Sequence, residues 1–239
     1  SEMCIRDRLM EAVSPDGEDG FPGTLKIAVR YTLTEDNTFR MDYRVSSDAD
    51  TIVNLTNHSY FNLDGGGDVL NQKLRIYASR YLEGNNATCP TGNILPVANT
   101  PMDFTAGKTI GKEIDTGFSQ TTMVGGGYDH CFVIDRGRGA SQSLCAWASS
   151  DKTGISMKVY TTQPGVQLYT SNFLKSATAC KVAHLTASIP PSAWKPRISL
   201  MPPTIPISRI PPSCPTAPTA QPLCTGLTWH RCETHKGIS

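Results

Sequence analysis

Between Leu25 and Val45, apolar and polar residues take turns with a period of two, and that period decides the fold class. Leu25, Ile27, Val29, Tyr31 and Leu33 alternate with Lys26, Ala28, Arg30, Thr32 and Thr34. After Glu35-Asp36-Asn37 the pattern resumes, with Phe39, Met41, Tyr43 and Val45 set against Arg40, Asp42, Arg44 and Ser46. Successive side chains on a strand point to opposite faces, so each run offers one apolar face to a core. Two such runs around a short polar turn predict an antiparallel hairpin. Further strands are expected at 51–57, 73–79, 130–134, 143–149, 156–162 and 166–170. Turn formers such as Asp64-Gly-Gly-Gly67, Pro90-Thr-Gly92 and Gly125-Gly-Gly127 join them. No long amphipathic helix and no repeat of fixed period interrupts the pattern. The expectation is an all-β chain, an antiparallel sandwich or barrel.

The pattern stops at Leu174. Residues 175–239 hold 11 of the 17 prolines but two of the 20 glycines and one acid, Glu233. Seven Lys and Arg against that acid give the tail +6 and leave −5 on residues 1–174. Proline removes backbone donors and breaks ladders, so the tail is expected to be mostly irregular. The first eight residues match no start signal and read as a foreign scar. The expected organisation is therefore 1–8 foreign, 9–174 a β-rich body, and 175–239 a Pro-rich tail.

Several function classes are excluded or left without a signal. No apolar run reaches the ~20 residues of a membrane-spanning helix. No basic start followed by an apolar stretch marks a secretory leader. The net charge of +1 gives no pull toward nucleic acid or anionic membranes. Cys89, Cys131 and Cys145 are the body cysteines, and no Cys-x-x-Cys suggests zinc or a disulfide framework. A reducing, cytoplasmic setting is the expectation. The glycine runs continue into neither a dinucleotide fingerprint nor a P-loop. The five histidines show no metal-ligand spacing.

Three segments carry chemistry. In Val53-Asn-Leu-Thr-Asn-His-Ser-Tyr-Phe-Asn-Leu63, His58 follows an apolar run among three Asn and two aromatics. A His at a strand end can protonate a substrate oxygen near neutral pH; a structural His held by neighbouring amides fits the same residues. In Gly127-Tyr-Asp-His-Cys-Phe132, Asp129 can accept from sugar hydroxyls or sit in a turn. In Thr161-Thr-Gln-Pro-Gly-Val-Gln-Leu-Tyr-Thr170, Gln167 can donate and accept at once, as polyol recognition requires, or close a strand edge.

The ordered set SPDGEDGFPG (Ser14–Gly23), VNLTNHSYFNL, YLEGNNATCPTGNILPV (Tyr81–Val97), GGYDHCFV (Gly126–Val133) and TTQPGVQLYTSNF (Thr161–Phe173) resembles the aldose 1-epimerase, or galactose mutarotase, family. The resemblance runs from about Leu9 to Leu174. It implies a large antiparallel β-sandwich that interconverts α and β anomers of free aldohexoses without a cofactor or metal. His58 matches the general acid for the ring oxygen. Asp129 and Gln167 match residues that hold sugar hydroxyls. His130 reads as structural. The implied partner is a small aldose sugar, with no nucleic acid and no membrane.

Anomer exchange also needs a base for the C1 hydroxyl. The family's base is a Glu in a C-terminal Leu-Glu-Thr-Gln-x-Phe-Pro-Asp-x-Pro-Asn motif, which is absent from this reading frame. The family's upstream Arg and further His precede the point where this chain begins, so an incomplete copy is expected. Trp194 is TGG and Lys195 begins AA, so the frame starting at each codon's last base reads GAA, a Glu, there. Permitted codons turn the run from Ala193 to Thr204 into Leu-Glu-Thr-Gln-Asn-Phe-Pro-Asp-Ala-Pro-Asn. The tail is expected to be largely a frameshifted translation, and the chain as written nearly inactive. Alternatives are a non-catalytic sugar-binding sandwich and a hexose-6-phosphate epimerase using Arg75 or Arg80. A Pro-rich interaction segment, with Pro203-Thr-Ile-Pro206 and Pro212-Ser-Cys-Pro215 as loose PxxP matches, is the third.

Overall fold

The hairpin forms where the alternation places it. In the computed structural model, β2 (Leu25–Leu33) and β3 (Thr38–Ser47) pair antiparallel, with Ile27 opposite Val45, Val29 opposite Tyr43 and Tyr31 opposite Met41. Apolar residues thus meet apolar residues across the ladder, the pairing that stabilises a sheet face. The turn closes with Asn37 in the left-handed region (φ 61°), a conformation Asn tolerates, and Thr34 donating its N–H to the Thr38 carbonyl. The model describes residues 6–136, 142–173, 198–201 and 223–231.

The remaining strands are β1 (Arg6–Ser14), β4 (Tyr60–Phe61), β5 (Lys73–Ile76), β6 (Arg80–Gly84), β7 (Pro90–Pro96), β8 (Lys108–Thr109), β9 (Asp129–Val133), β10 (Ser143–Ser149), β11 (Ile155–Thr161), β12 (Gly165–Tyr169), β13 (Ile198–Met201) and β14 (Leu223–Arg231). Among the described residues they form an eight-stranded sheet, β1-β2-β3-β14-β11-β10-β5-β8, and a six-stranded sheet, β4-β13-β12-β9-β6-β7. Every ladder is antiparallel. Among the described residues one short α-helix, α1 (Ser119–Met123), interrupts the strands.

The core lies between the two sheets. Met41, Leu74, Ile76, Ala146, Met157 and Val159 of the eight-stranded sheet share one buried cluster with Tyr81, Phe132, Val166 and Leu168 of the six-stranded sheet. This is the sandwich arrangement, with alternate residues of each sheet turned inward. Phe104 fills the centre, edge-on to Tyr128 and Phe132 at ring separations of 5.1 and 6.3 Å. Cys131 and Cys145 are buried free thiols, and burial pushes both up to about 12.

Two expectations change. Residues 51–59 form no ladder, and the strand begins only at Tyr60. Asn57 Oδ1 accepts the Ser59 N–H at 3.0 Å, a local turn that competes with strand pairing. Pro90-Thr-Gly92 opens β7 rather than making a turn. The turn lies just before it, where Asn85 Oδ1 accepts from Ala87 and Cys89, and proline is tolerated at the first residue of an edge strand. Arg6–Arg8 belong to β1 and pair with Tyr31–Leu33. Of the Pro-rich tail, 198–201 and 223–231 are strands. The PxxP matches lie outside the described residues.

Candidate active site

The six-stranded sheet turns one row of residues outward. Directly opposed residues of an antiparallel pair share a face, so the register puts Tyr169 and Asp129 in one row across β12 and β9, and Tyr60 in line with them through the backbone of β13. Cys131 and Gln167 form the next row. Gln167 therefore lies diagonal to Asp129, and its Nε2 donates to Asp129 Oδ1 at 2.8 Å. The inward residues between them, His130, Phe132 and Leu168, are buried in the core.

Two motif loops hold this diagonal. Gly125 and Gly126 take φ of 87° and 82°, a left-handed pair that brings the chain into β9. Gly127 follows against the other loop; a Cβ there would lie 2.0 Å from Asn172 Oδ1 and 2.5 Å from Thr170 Oγ1. Thr170 Oγ1 accepts the Tyr128 N–H at 2.8 Å. Asn172 Nδ2 donates to the carbonyls of Val124 and Tyr128 at 2.8 and 3.1 Å. The ends of β9 and β12 are thereby clasped beside Asp129.

His58 arrives from the other side of the sheet order, before β4. The Asn57–Ser59 turn leaves it exposed, its ring 5.1 Å from that of Tyr60. Tyr60 in turn lies 6.2 Å from Tyr169. Asn62, from the same motif, is taken up by structure: its Oδ1 accepts from Gln72 Nε2 at 2.8 Å and its Nδ2 donates to the Gly67 carbonyl at 2.9 Å. Ser150 Oγ donates to Asp64 beside that glycine turn.

The electrostatics follow from burial. Asp129 is half-buried, and loss of water raises its carboxyl above the usual range. The Gln167 hydrogen bond and the charge of His58 pull the other way. The rings of Tyr60 and Tyr169 link His58 to the β12–β9 pair that carries Asp129. The three residues singled out by sequence share one side of the sheet region, although no direct bond joins His58 to the other two. Tyr60 and Tyr169 were not singled out by number. Within the expected 166–170 strand, parity sets Tyr169 opposite in face to Val166 and Leu168, where it is 8% exposed; Tyr60 lies beyond the expected 51–57 run. A half-buried carboxylate, an amide with both donor and acceptor, an exposed imidazole and two aromatic rings suit a polyhydroxylated ring.

Arg75 lies on β5 and Arg80 opens β6. They start on different sheets, and Arg75 is engaged by the Thr105 carbonyl at 2.8 Å and by the Tyr77 ring at 4.7 Å. Among the described residues, no group of three His, Cys, Asp or Glu gathers as metal ligands would, and no helix is long and apolar enough to cross a membrane.

Comparison with known proteins bears on this arrangement. The aldose 1-epimerase family model matches residues 6–202. Aldose 1-epimerase of Escherichia coli (strain K12) is 40% identical over 171 residues, covering 71% of this chain and 48% of that protein. Galactose mutarotase of Rattus norvegicus is 41% identical over 164 residues, covering 68% and 45%. The chain thus spans about half the length of the curated relatives it matches. Among solved structures, the GalM/aldose epimerase homologue from C. elegans superposes with a TM-score of 0.72 at 26% identity, covering 93% of this chain and 64% of that one. Galactose 1-epimerase from Lactobacillus acidophilus NCFM shares the fold, with a TM-score of 0.69 at 24% identity, covering 94% and 65%. The chain belongs to the aldose 1-epimerase family.

Proposed function

We propose that the outward face of the six-stranded sheet binds a free aldohexose and belongs to an aldose 1-epimerase, an isomerase that exchanges α and β anomers. The observation that carries the reading is the Gln167–Asp129 bond of 2.8 Å, with His58 joined to it through the neighbouring rings of Tyr60 and Tyr169. Asp129 accepts from a sugar hydroxyl, and Gln167 donates to a second or accepts from it. His58 gives its proton to the ring oxygen. A base takes the C1 hydroxyl proton, the C1–O5 bond opens, the C1–C2 bond rotates, and closure delivers the other anomer. Protons balance, and the reaction draws on no cofactor.

The base is the finer part of the proposal. The frame as written carries no Leu-Glu-Thr-Gln motif, while the alternate frame reads Glu at the Trp194–Lys195 boundary. That boundary precedes β13, which pairs with β12 beside Gln167. We take 9–174 as mutarotase body and most of 175–239 as frameshifted; 1–8 we take as foreign in origin, although Arg6–Arg8 pair within β1 and fall inside the family match. The chain as written binds sugar but turns it over ~10²–10⁴-fold more slowly than one with the base in place. The missing base equally favours a sugar-binding module without turnover.

Resequencing the coding DNA from before Ser1 to past Ser239, then following the rotation of fresh α-galactose with the protein it encodes, tests both parts. Mutarotation that needs the alternate frame and is lost with His58→Asn is the expected result. A stop-rich alternate frame, or full activity of the chain as written, contradicts the proposal.

A further inference from the structure

We infer that His130 is a positioning residue for Asp129: its ring Nδ1 takes the Asp129 backbone N–H where β6 offers no ladder partner, and so fixes the strand end that aims the Asp129 carboxylate at Gln167. The inference rests on the reading of Asp129 and Gln167 as sugar contacts.

The need for such a partner comes from the ladder. Tyr128 and Thr170 exchange bonds across β9 and β12, with Thr170 donating to the Tyr128 carbonyl at 3.0 Å. Hydrogen-bonding direction alternates along an antiparallel strand, so the Asp129 N–H points the other way, toward β6. Pairing between β9 and β6 runs through Arg80–Val133 and Tyr81–Phe132 only. Carried on, it would bring Gly84 opposite Asp129, but β6 is irregular between Leu82 and Gly84. The Gln120 side chain takes both groups of Gly84, accepting its N–H at 2.9 Å and donating to its carbonyl at 3.2 Å. Asp129 is left to the adjacent ring, and its N–H donates to His130 Nδ1 at 3.2 Å. Two buried polar side chains thus stand in for the missing rungs, one on each strand.

Packing alone does not account for an imidazole here. An accepting Nδ1 bears no proton, so the neutral ring carries its proton on Nε2. That Nε2 is buried and has no hydrogen-bond partner among the described residues. A buried donor without a partner costs stability, and a phenylalanine, edge-on to Tyr81 as His130 is, would avoid it. The bond from Asp129 is what the imidazole adds. Burial pushes the ring down to about 4, which keeps Nδ1 an acceptor at neutral pH.

The test compares His130→Phe, which keeps the ring and removes the acceptor, with His130→Asn, whose Oδ1 can stand near the Nδ1 position. Amide hydrogen exchange at Asp129 and galactose binding are read for both by NMR. In His130→Phe the Asp129 amide is expected to exchange about tenfold faster and galactose to bind about tenfold more weakly, the loss of one hydrogen bond; His130→Asn should hold both near the parent. An unchanged Asp129 amide in His130→Phe, or equal losses in the two variants, overturns the inference. Should His130→Phe not fold, long-range proton–nitrogen spectra of the unmodified chain decide: a bare Nδ1 and protonated Nε2 support it, and a proton on Nδ1 overturns it. Should the parent bind no aldose, the sugar reading of the site fails, while the amide comparison still decides the role of His130.

Discussion

Asp129 and His130 are neighbours on β9 and belong to opposite faces of one sheet. The outer face holds Asp129 half-buried beside Gln167, with Tyr60, Tyr169 and His58 around it. The inner face holds His130 at 2% exposure among Tyr81, Phe132 and the core. Burial acts on both and favours the neutral form of each, raising the acid and lowering the base. The outcome differs because of the partners. The outer carboxyl retains a donor and a nearby charge, and remains a group that can exchange partners with a ligand. The inner ring is held neutral and can only hold its neighbour. A one-residue step along a strand separates the proposed binding chemistry from the packing beneath it.

The largest effect should come from breaking the inner face. Phe132 is fully buried against Tyr81 and Phe104, so Phe132→Ala should cost about 3–5 kcal/mol in urea unfolding. A loss under 1 kcal/mol would mean the two sheets do not share this core.

Acid should expose the inner ring next. His130 is held down to about 4 in the folded state and titrates near 6.5 when unfolded. Between those values the unfolded chain binds more protons, so stability falls as pH drops from about 6.5 to 4, by on the order of 3 kcal/mol. Asp129, raised on folding, contributes with the opposite sign at the lower end of that window. Across that window the parent should lose stability relative to His130→Phe as pH falls; parallel curves would contradict a buried neutral His130.

The clasp between the two motif loops comes third. Gly127→Ala puts a methyl 2.0 Å from Asn172 Oδ1, and the shift needed should cost about 1–3 kcal/mol and weaken galactose binding together. Stability lost with binding intact would separate the loops from the outer face.

The outer face itself should matter for ligand more than for folding. Asp129→Asn and Gln167→Ala should each lower galactose affinity about tenfold, one hydrogen bond to a charged or amide group. Both should leave the unfolding midpoint nearly unchanged. Smallest of all, Lys73→Ala removes an exposed ion pair to Asp151 (2.8 Å) and should change stability by ~0.5 kcal/mol or less.

What the sequence showed of this comparison depends on range. The period of two was enough for β2, β3, β10, β11 and β12, because each residue's face follows from its parity. It also placed Gln167 on a strand, while Asp129, just before the expected 130–134, opens β9. It could not place β4 between a tail strand and solvent, since the Tyr60–Ser199 and Tyr169–Ser199 pairings are long-range. Residues 51–57 misled, because an apolar run carries no mark of the Asn57 side chain closing a turn on Ser59. Pro90 misled for the converse reason: a turn former is harmless at the start of an edge strand. His58, Asp129 and Gln167 were legible as a set through the family resemblance. The residues that brace them, Thr170, Asn172 and Gln120, were not, because nothing local distinguishes a bracing amide from a surface one.

The central claim is that the outer face of the six-stranded sheet takes a free aldose. It is tested most directly by titrating galactose into the labelled chain and following the Gln167 side-chain amide and the Asp129 backbone amide. The account predicts saturable shifts centred on these two and on Tyr60 and Tyr169, lost in Asp129→Asn. Shifts confined to another surface, or none at saturating sugar, would contradict it.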